Sequence, residues 1–109
     1  MATLTVGAIS RSGLTRSLAS AAVGGDEFAN DGKTFLEVAN GSGSSITVTI
    51  ATQMTVDGKA VADDAISVGA GVTKQIGPFP PHIYNDANGK VQVTYSAVTT
   101  VTVGATRLP

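Results

Sequence analysis

The chain has no cysteine, no tryptophan, a single histidine and few charged side chains. Without cysteine, disulfides and thiolate metal sites are excluded and the redox compartment leaves no mark. Charged residues make up 14% of the 109 positions, against about 25% in an average soluble domain. Lys+Arg and Asp+Glu nearly balance, 7 against 8, for a net charge of -1. Nucleic-acid binding calls for a basic footprint, which this balance does not provide. No stretch approaches the roughly 20 apolar residues of a membrane helix. Met1-Ala2-Thr3-Leu4-Thr5 has no basic region ahead of an apolar run, so it does not read as a secretory signal. The glycines follow neither the P-loop nor the dinucleotide spacing. No cofactor site is therefore expected.

What is present is alternation. Ser45-Ile46-Thr47-Val48-Thr49-Ile50 puts Ile46, Val48 and Ile50 on one side and Thr47 and Thr49 on the other. Val91-Gln92-Val93-Thr94-Tyr95-Ser96-Ala97 and Val101-Thr102-Val103 repeat the pattern. Successive strand side chains point to opposite faces, so these segments read as half-buried strands. Ile46, Val48, Ile50, Val91, Val93, Val101 and Val103 are the predicted core. The opposite face carries neutral hydroxyls instead of charge. Interfaces deplete Lys, Glu and Asp at their centres, so this composition suits either a protein embedded in an assembly or a soluble Thr-faced domain.

The length fits one domain, large enough to bury a core without staples. Further strands are expected at Phe35 to Ala39, Ala60 to Ala62, Ile66 to Val68 and Val72 to Ile76. Met54 and Val56 keep the phase of Ile50, which predicts a strand running on to the hairpin dipeptide Asp57-Gly58. Gly77-Pro78-Phe79-Pro80-Pro81 and Asn85-Asp86-Ala87-Asn88-Gly89 are breaks. Val91 to Val103 holds one phase without Gly or Pro. A straight strand of that length would span roughly 45 Å, too long for a compact domain with a radius of gyration near ~13 Å. It must bend near Thr99-Thr100 or project. The expected fold is all-β: an antiparallel β-sandwich or jelly-roll-like barrel of seven to eight short strands.

Residues 1–25 differ, and read as an N-terminal arm preceding a β-domain of residues 26–109. Thr3 to Ile9 fits a first strand. From Ser10 the alternation stops. Leu14, Leu18, Ala21 and Ala22 fit one face of a short helix within residues 12–23, while the Ser and Gly content fits an extended or disordered arm equally well. Arg11 and Arg16 are the only charges before Asp26. Arginines pair with carboxylates and leucines anchor in pockets, so Arg11, Leu14, Arg16 and Leu18 are candidate partner-binding residues. Tyr84 joins them from the loop Phe79-Pro80-Pro81-His82-Ile83-Tyr84. Phe79 is expected to plug one end of the sandwich.

Reactive chemistry is sparse. His82 stands alone in a loop with Asp86 four residues on, and a hydrolytic triad needs groups that converge in space. Asp57, Asp63 and Asp64 do not match a helix–loop–helix calcium loop. The expectation is no enzyme, no catalytic residue and no metal site.

Gly25-Asp26-Glu27-Phe28-Ala29-Asn30-Asp31-Gly32-Lys33-Thr34-Phe35-Leu36-Glu37-Val38-Ala39-Asn40, then Ser44-Ser45-Ile46-Thr47-Val48-Thr49 and later Ile76-Gly77-Pro78-Phe79-Pro80 with Tyr84-Asn85-Asp86, is similar to a group of short tailed-phage proteins. These are encoded among virion structural genes and regarded as capsid decoration (cement) or related small head proteins. The resemblance spans most of residues 25–105 and rests on a diffuse pattern. It implies an all-β accessory protein on the outside of a capsid, bound to the major capsid protein or other virion subunits. It also implies a homo-oligomer, with a trimer favoured, that engages neither nucleic acid nor membrane. It transfers no residue roles. Another virion part (tail tube, connector or fibre base) and a free carbohydrate-binding or adhesion module remain as alternatives. The latter usually displays exposed aromatics, and Tyr84 and Tyr95 are the only tyrosines.

Overall fold

A computed structural model describes residues 1–108; Pro109, the last position of the expected β-domain, lies outside the described residues. The first 25 residues form three short strands: β1 (Ala2–Thr3), β2 (Val6–Ala8) and β3 (Ala19–Ser20). Then come β4 (Asp26–Ala29), β5 (Thr34–Asn40), β6 (Ile46–Ile50), β7 (Thr55–Val56) and β8 (Lys59–Ala60). β9 (Asp64–Val68), β10 (Thr73–Ile76), the one-turn helix α1 (Pro81–Tyr84), β11 (Lys90–Tyr95) and β12 (Val101–Arg107) complete the chain. Sheet A has the order β1-β4-β11-β6-β9. Sheet B has the order β10-β5-β12-β2, with β3 also paired to β12. The fold is the expected all-β sandwich, a slab with extents of 40 × 36 × 19 Å.

The inward faces follow the alternation. All seven predicted core residues are buried, none more than 3% exposed. Phe28, Leu36, Val38 and Val68 join them. Fully burying a side chain of this size contributes about 1.5–3 kcal/mol, so this layer supplies the main driving force. Phe79 closes one end as expected. Its ring lies 5.8 Å from Phe28 and 5.3 Å, edge-on, from Tyr84. Offset and edge-to-face contacts of this kind add to burial.

Two buried asparagines tie loops to the core. Asn40 Nδ2 donates to the carbonyls of Ser44 at 2.8 Å and Val68 at 3.1 Å, joining β5 of sheet B to β9 of sheet A. Asn30 Nδ2 donates to Phe79 O at 2.8 Å, and Asn85 Nδ2 returns a bond to Asn30 O at 2.8 Å. A buried amide needs such partners, because an unmet polar group costs about 1–3 kcal/mol.

The run from Val91 to Val103 does bend. β11 lies in sheet A and β12 in sheet B, with Thr100 at a φ of 56° between them. Other expectations need correction. The strand through Ile50 does not continue to Asp57: Thr52 turns the chain out by bonding Asp63 Oδ1 and the Val61 carbonyl. Met54 and Val56 are 38% and 53% exposed. β7 and β8 form a separate hairpin whose turn, Asp57-Gly58, has both φ values positive, as a two-residue hairpin loop requires. No helix forms in residues 12–23; tertiary contacts override the local preference, with Ala19–Ser20 pairing with β12 and Leu14 and Leu18 lying over Gly7 and Gly104. The only helical turn among the described residues is α1, in the proline loop, where Pro81 occupies a first-turn position that needs no N–H. β4 was not legible as a strand, because Asp26-Glu27-Phe28-Ala29 offers a single large apolar side chain.

The arm is part of the sandwich. β1 pairs parallel with β4, and β2 pairs parallel with β12. β3 pairs antiparallel with β12 further along the same edge. Leu4 and Ala21 belong to the core cluster. The body is antiparallel, and the parallel pairings occur where the arm joins it.

Candidate functional site

The slab has two outer faces, and cross-strand register defines each. On sheet A, Thr49 pairs with Thr94 of β11 and Ala65 of β9, and Thr47 pairs with Ser67. Directly paired residues project from the same side. Thr47, Thr49, Ala65, Ser67 and Thr94 therefore form one uncharged, hydroxyl-rich field, exposed except for half-buried Thr49. Charge lies at its margins. Lys90 Nζ is 3.7 Å from Glu27 Oε1 on the β4 side, and Lys74 Nζ donates to Ser67 O at 2.8 Å on the β9 side.

On sheet B, one rung is Gln75–Glu37–Gly104 and the next carries Phe35–Thr106, with Gly7 beyond. Residues 10–18 lie across this face. A Cβ on Gly104 would sit 2.8 Å from Leu18 Cδ2 and 2.8 Å from Ser17 O, and one on Gly7 would sit 3.2 Å from Leu14 Cδ2. The two glycines are thus the beds on which Leu18 and Leu14 rest. Arg16 Nε lies 3.0 Å from Glu37 Oε2, and the Glu37 side chain is only 4% exposed beneath it. Gln75 Nε2 donates to Glu37 Oε1 at 3.3 Å. Oε2 accepts no hydrogen bond from the described residues; Arg16 compensates its charge by proximity without aligning an N–H on it.

Of the residues expected to bind a partner, Leu14, Arg16 and Leu18 thus come together, but on the chain's own sheet. Arg16 meets Glu37 of the same chain, and the leucines use intrachain beds, because glycines at positions 7 and 104 open the face to them. Leu14 remains 40% exposed. Arg11 is exposed in the turn where Gly13 N donates to Ser10 O. Tyr84 stands apart, on α1, half-buried. Its hydroxyl donates to the Asp64 carboxylate, and that bond, with burial, pushes the phenol up to about 12.

A second tyrosine ties the arm to sheet A. Tyr95 Oη donates to Asp26 Oδ2 at 2.8 Å, and Ala22 N donates to the same oxygen at 3.2 Å. Burial, reinforced by Asp26, raises the Tyr95 phenol well above its ordinary value. Asp86 accepts from Gln92 and from the N–H groups of Lys90 and Asn88, which hold its carboxyl below the usual range. Asp31 is lowered by Arg107, whose Nε donates to it at 3.0 Å. Asp63 and Asp64 are engaged by Thr52 and Tyr84. Among the described residues no three His, Cys, Asp or Glu side chains are grouped to hold a metal. No helix among them is long and apolar enough to cross a membrane.

No family model matches the chain, and no match is found among curated proteins or solved structures. The site residues that sequence reasoning missed are Phe35, Glu37 and Gln75. The alternation of β5 places Phe35 and Glu37 opposite Leu36 and Val38, but only the arm's path reveals that Glu37 is covered.

Proposed function

We propose that the chain is a structural protein of a phage virion, seated on the outside of the capsid shell and stabilising it through the outer face of sheet A. The uncharged hydroxyl field of Thr47, Thr49, Ser67 and Thr94 carries this reading. Its charges lie at the margin, and interface centres are depleted in charge in the same way. Such a field docks without stripping water from ions, which would otherwise cost several kcal/mol for each unpaired group. The resemblance of residues 25–105 to phage decoration proteins points the same way. The partner is then the major capsid protein or another virion subunit, and self-association, with a trimer favoured, belongs to the same reading.

Co-sedimentation with shells stripped of the protein tests this. The double substitution Thr47→Lys, Thr94→Lys places two cations at exposed positions of the field that are not directly paired, while the inward faces stay intact. Shell binding should fall at least about tenfold, with an unchanged melting curve. Equal occupancy by the variant, or absence of the chain from the outer surface in a reconstruction of the particle, would overturn the proposal. Light scattering reads the oligomer number.

A further inference from the structure

We propose that the groove on the outer face of sheet B, floored by Glu37 and Gln75 and walled by Phe35, Leu14 and Arg16, binds a neutral saccharide. The concavity beside the arm has a volume of about 270 Å³ and is lined by these residues with Ile9 and Thr106. A second of about 250 Å³ adjoins it, sharing Phe35 and Gln75 and reaching Gly77 and Pro78. Together they make a shallow channel along the sheet, near the lower end of the ~300–1,000 Å³ common for small-molecule sites.

Three observations select the ligand. First, Glu37 Oε2 is buried and accepts no hydrogen bond from the described residues. Buried polar atoms in native proteins nearly always have a partner; its neighbour is Arg16 Nε, off-axis at 3.0 Å on a side chain 61% exposed, so a hydroxyl in the groove reaches this oxygen when that side chain swings aside. Second, Arg16 already balances the charge of Glu37 at 3.0 Å. An added cation would meet Arg16, and an added anion would meet Glu37, so the donor must be neutral. Third, a carboxylate, an amide and a guanidinium converge beside an aromatic ring. A hydroxyl both donates and accepts, so adjacent sugar hydroxyls can span Glu37 Oε2, the Gln75 amide and Arg16. The C–H face of a pyranose ring meets the half-buried ring of Phe35. Phe35 supplies the aromatic that Tyr84 and Tyr95 do not, since Tyr84 packs on Phe79 and Tyr95 bonds Asp26.

The inference rests on sheet B alone and holds whether or not sheet A seats on a shell. The test is an amide chemical-shift titration of the intact chain with D-glucose, D-galactose, D-mannose and N-acetyl-D-glucosamine, followed by their neutral oligosaccharides. At least one should shift Phe35, Glu37, Gln75 and Thr106 together. Glu37→Gln replaces the accepting oxygen or its neighbour with a donor, and should weaken that binding at least about tenfold. Gln75→Ala, at the exposed edge, should weaken it less while leaving the fold intact. The inference is overturned by an absence of localised shifts with every probe. It is also overturned by equal affinity in Glu37→Gln, or by N-acetyl-arginine amide filling the groove in preference to the sugars.

Discussion

The two outer faces of this sandwich are built from the same kind of strand yet differ in what covers them. Sheet A presents Thr47, Ser67 and Thr94 to solvent, with Thr49 half-buried between them and no other part of the described chain laid over the field. Sheet B carries glycine at positions 7 and 104, and the arm rests there on Leu14 and Leu18. A strand position without a side chain lets another backbone approach closely. The face with hydroxyls stays open, and the face with glycines is covered by its own chain. Cover has a consequence: it buries Glu37, a charged residue at an outward position, and creates the groove beside it.

The harshest way to break this contrast is to remove the cover. Deleting residues 1–25 takes away β1, β2, β3 and the core contacts of Leu4 and Ala21. The loss should be several kcal/mol, with Leu4 alone contributing about 1.5–3 kcal/mol. A truncated chain that melts like the intact one would show the arm to be an attachment and not a part of the sandwich.

Gly104→Val asks whether the glycine bed is needed. Its new Cβ would meet Leu18 Cδ2 and the Ser17 carbonyl at 2.8 Å. Overpacking of this kind costs about 1–3 kcal/mol in denaturant unfolding. The cost should shrink when Leu18→Ala is combined with it, because one of the two clashing groups is then gone.

Alkaline pH probes how the arm is tied on. The Tyr84 and Tyr95 phenols are both raised above the ordinary value of 10.0, Tyr84 by its bond to Asp64 and Tyr95 chiefly by burial. A raised folded value means the contribution is complete below pH 10 and drains as pH rises towards the folded value, since the unfolded chain loses its protons first. Stability should therefore fall above about pH 10. Phenolate absorbance from Tyr95 should appear only as the chain unfolds. Ordinary titration of both phenols in the folded protein would contradict this. In acid the sign reverses. Asp31 and Asp86 are lowered below 3.8, so their contribution is present above that value and lost as pH falls through the folded value. Asp31 is exposed and Asp86 only half-buried, so the acid effect is the weaker one.

Glu37→Met separates stability from use. The carboxylate is buried while Arg16 is 61% exposed, so the pair gains little from its own attraction. The exchange should alter unfolding free energy by less than about 1 kcal/mol. A loss near 3 kcal/mol would place Glu37 among the residues that hold the arm. On the open face, Thr94→Val should be milder still, within about 0.5 kcal/mol. A larger change there would mean that sheet A is also covered.

The sandwich was readable because burial on one face imposes a period of two. That period fixed the side of Ile46, Val48, Ile50, Val91, Val93, Val101 and Val103 without knowledge of their neighbours. It also identified the open hydroxyl face, since Thr47 and Thr49 are simply the other parity of the same strand. Length alone left Val91 to Val103 a choice between a bend near Thr99-Thr100 and a projecting strand; the pairing of β11 in sheet A and β12 in sheet B decided for the bend. The phase rule failed at Met54 and Val56, where hydrogen bonds from Thr52 to the distant Asp63 and Val61 took the chain out of the sheet. It was silent on β4, whose order depends on pairing with β1 and β11.

The arm's residue types were legible and their destination was not. Arg16 called for a carboxylate and Leu14 and Leu18 for beds, but local pattern says nothing about which surface supplies them. Tertiary structure decided that, by placing Gly7 and Gly104 on the face of sheet B that the arm crosses. Parity assigned Glu37 to the solvent side. Its burial arises from a segment some twenty residues earlier in the chain, and contact between segments so far apart is set by packing and not by local sequence.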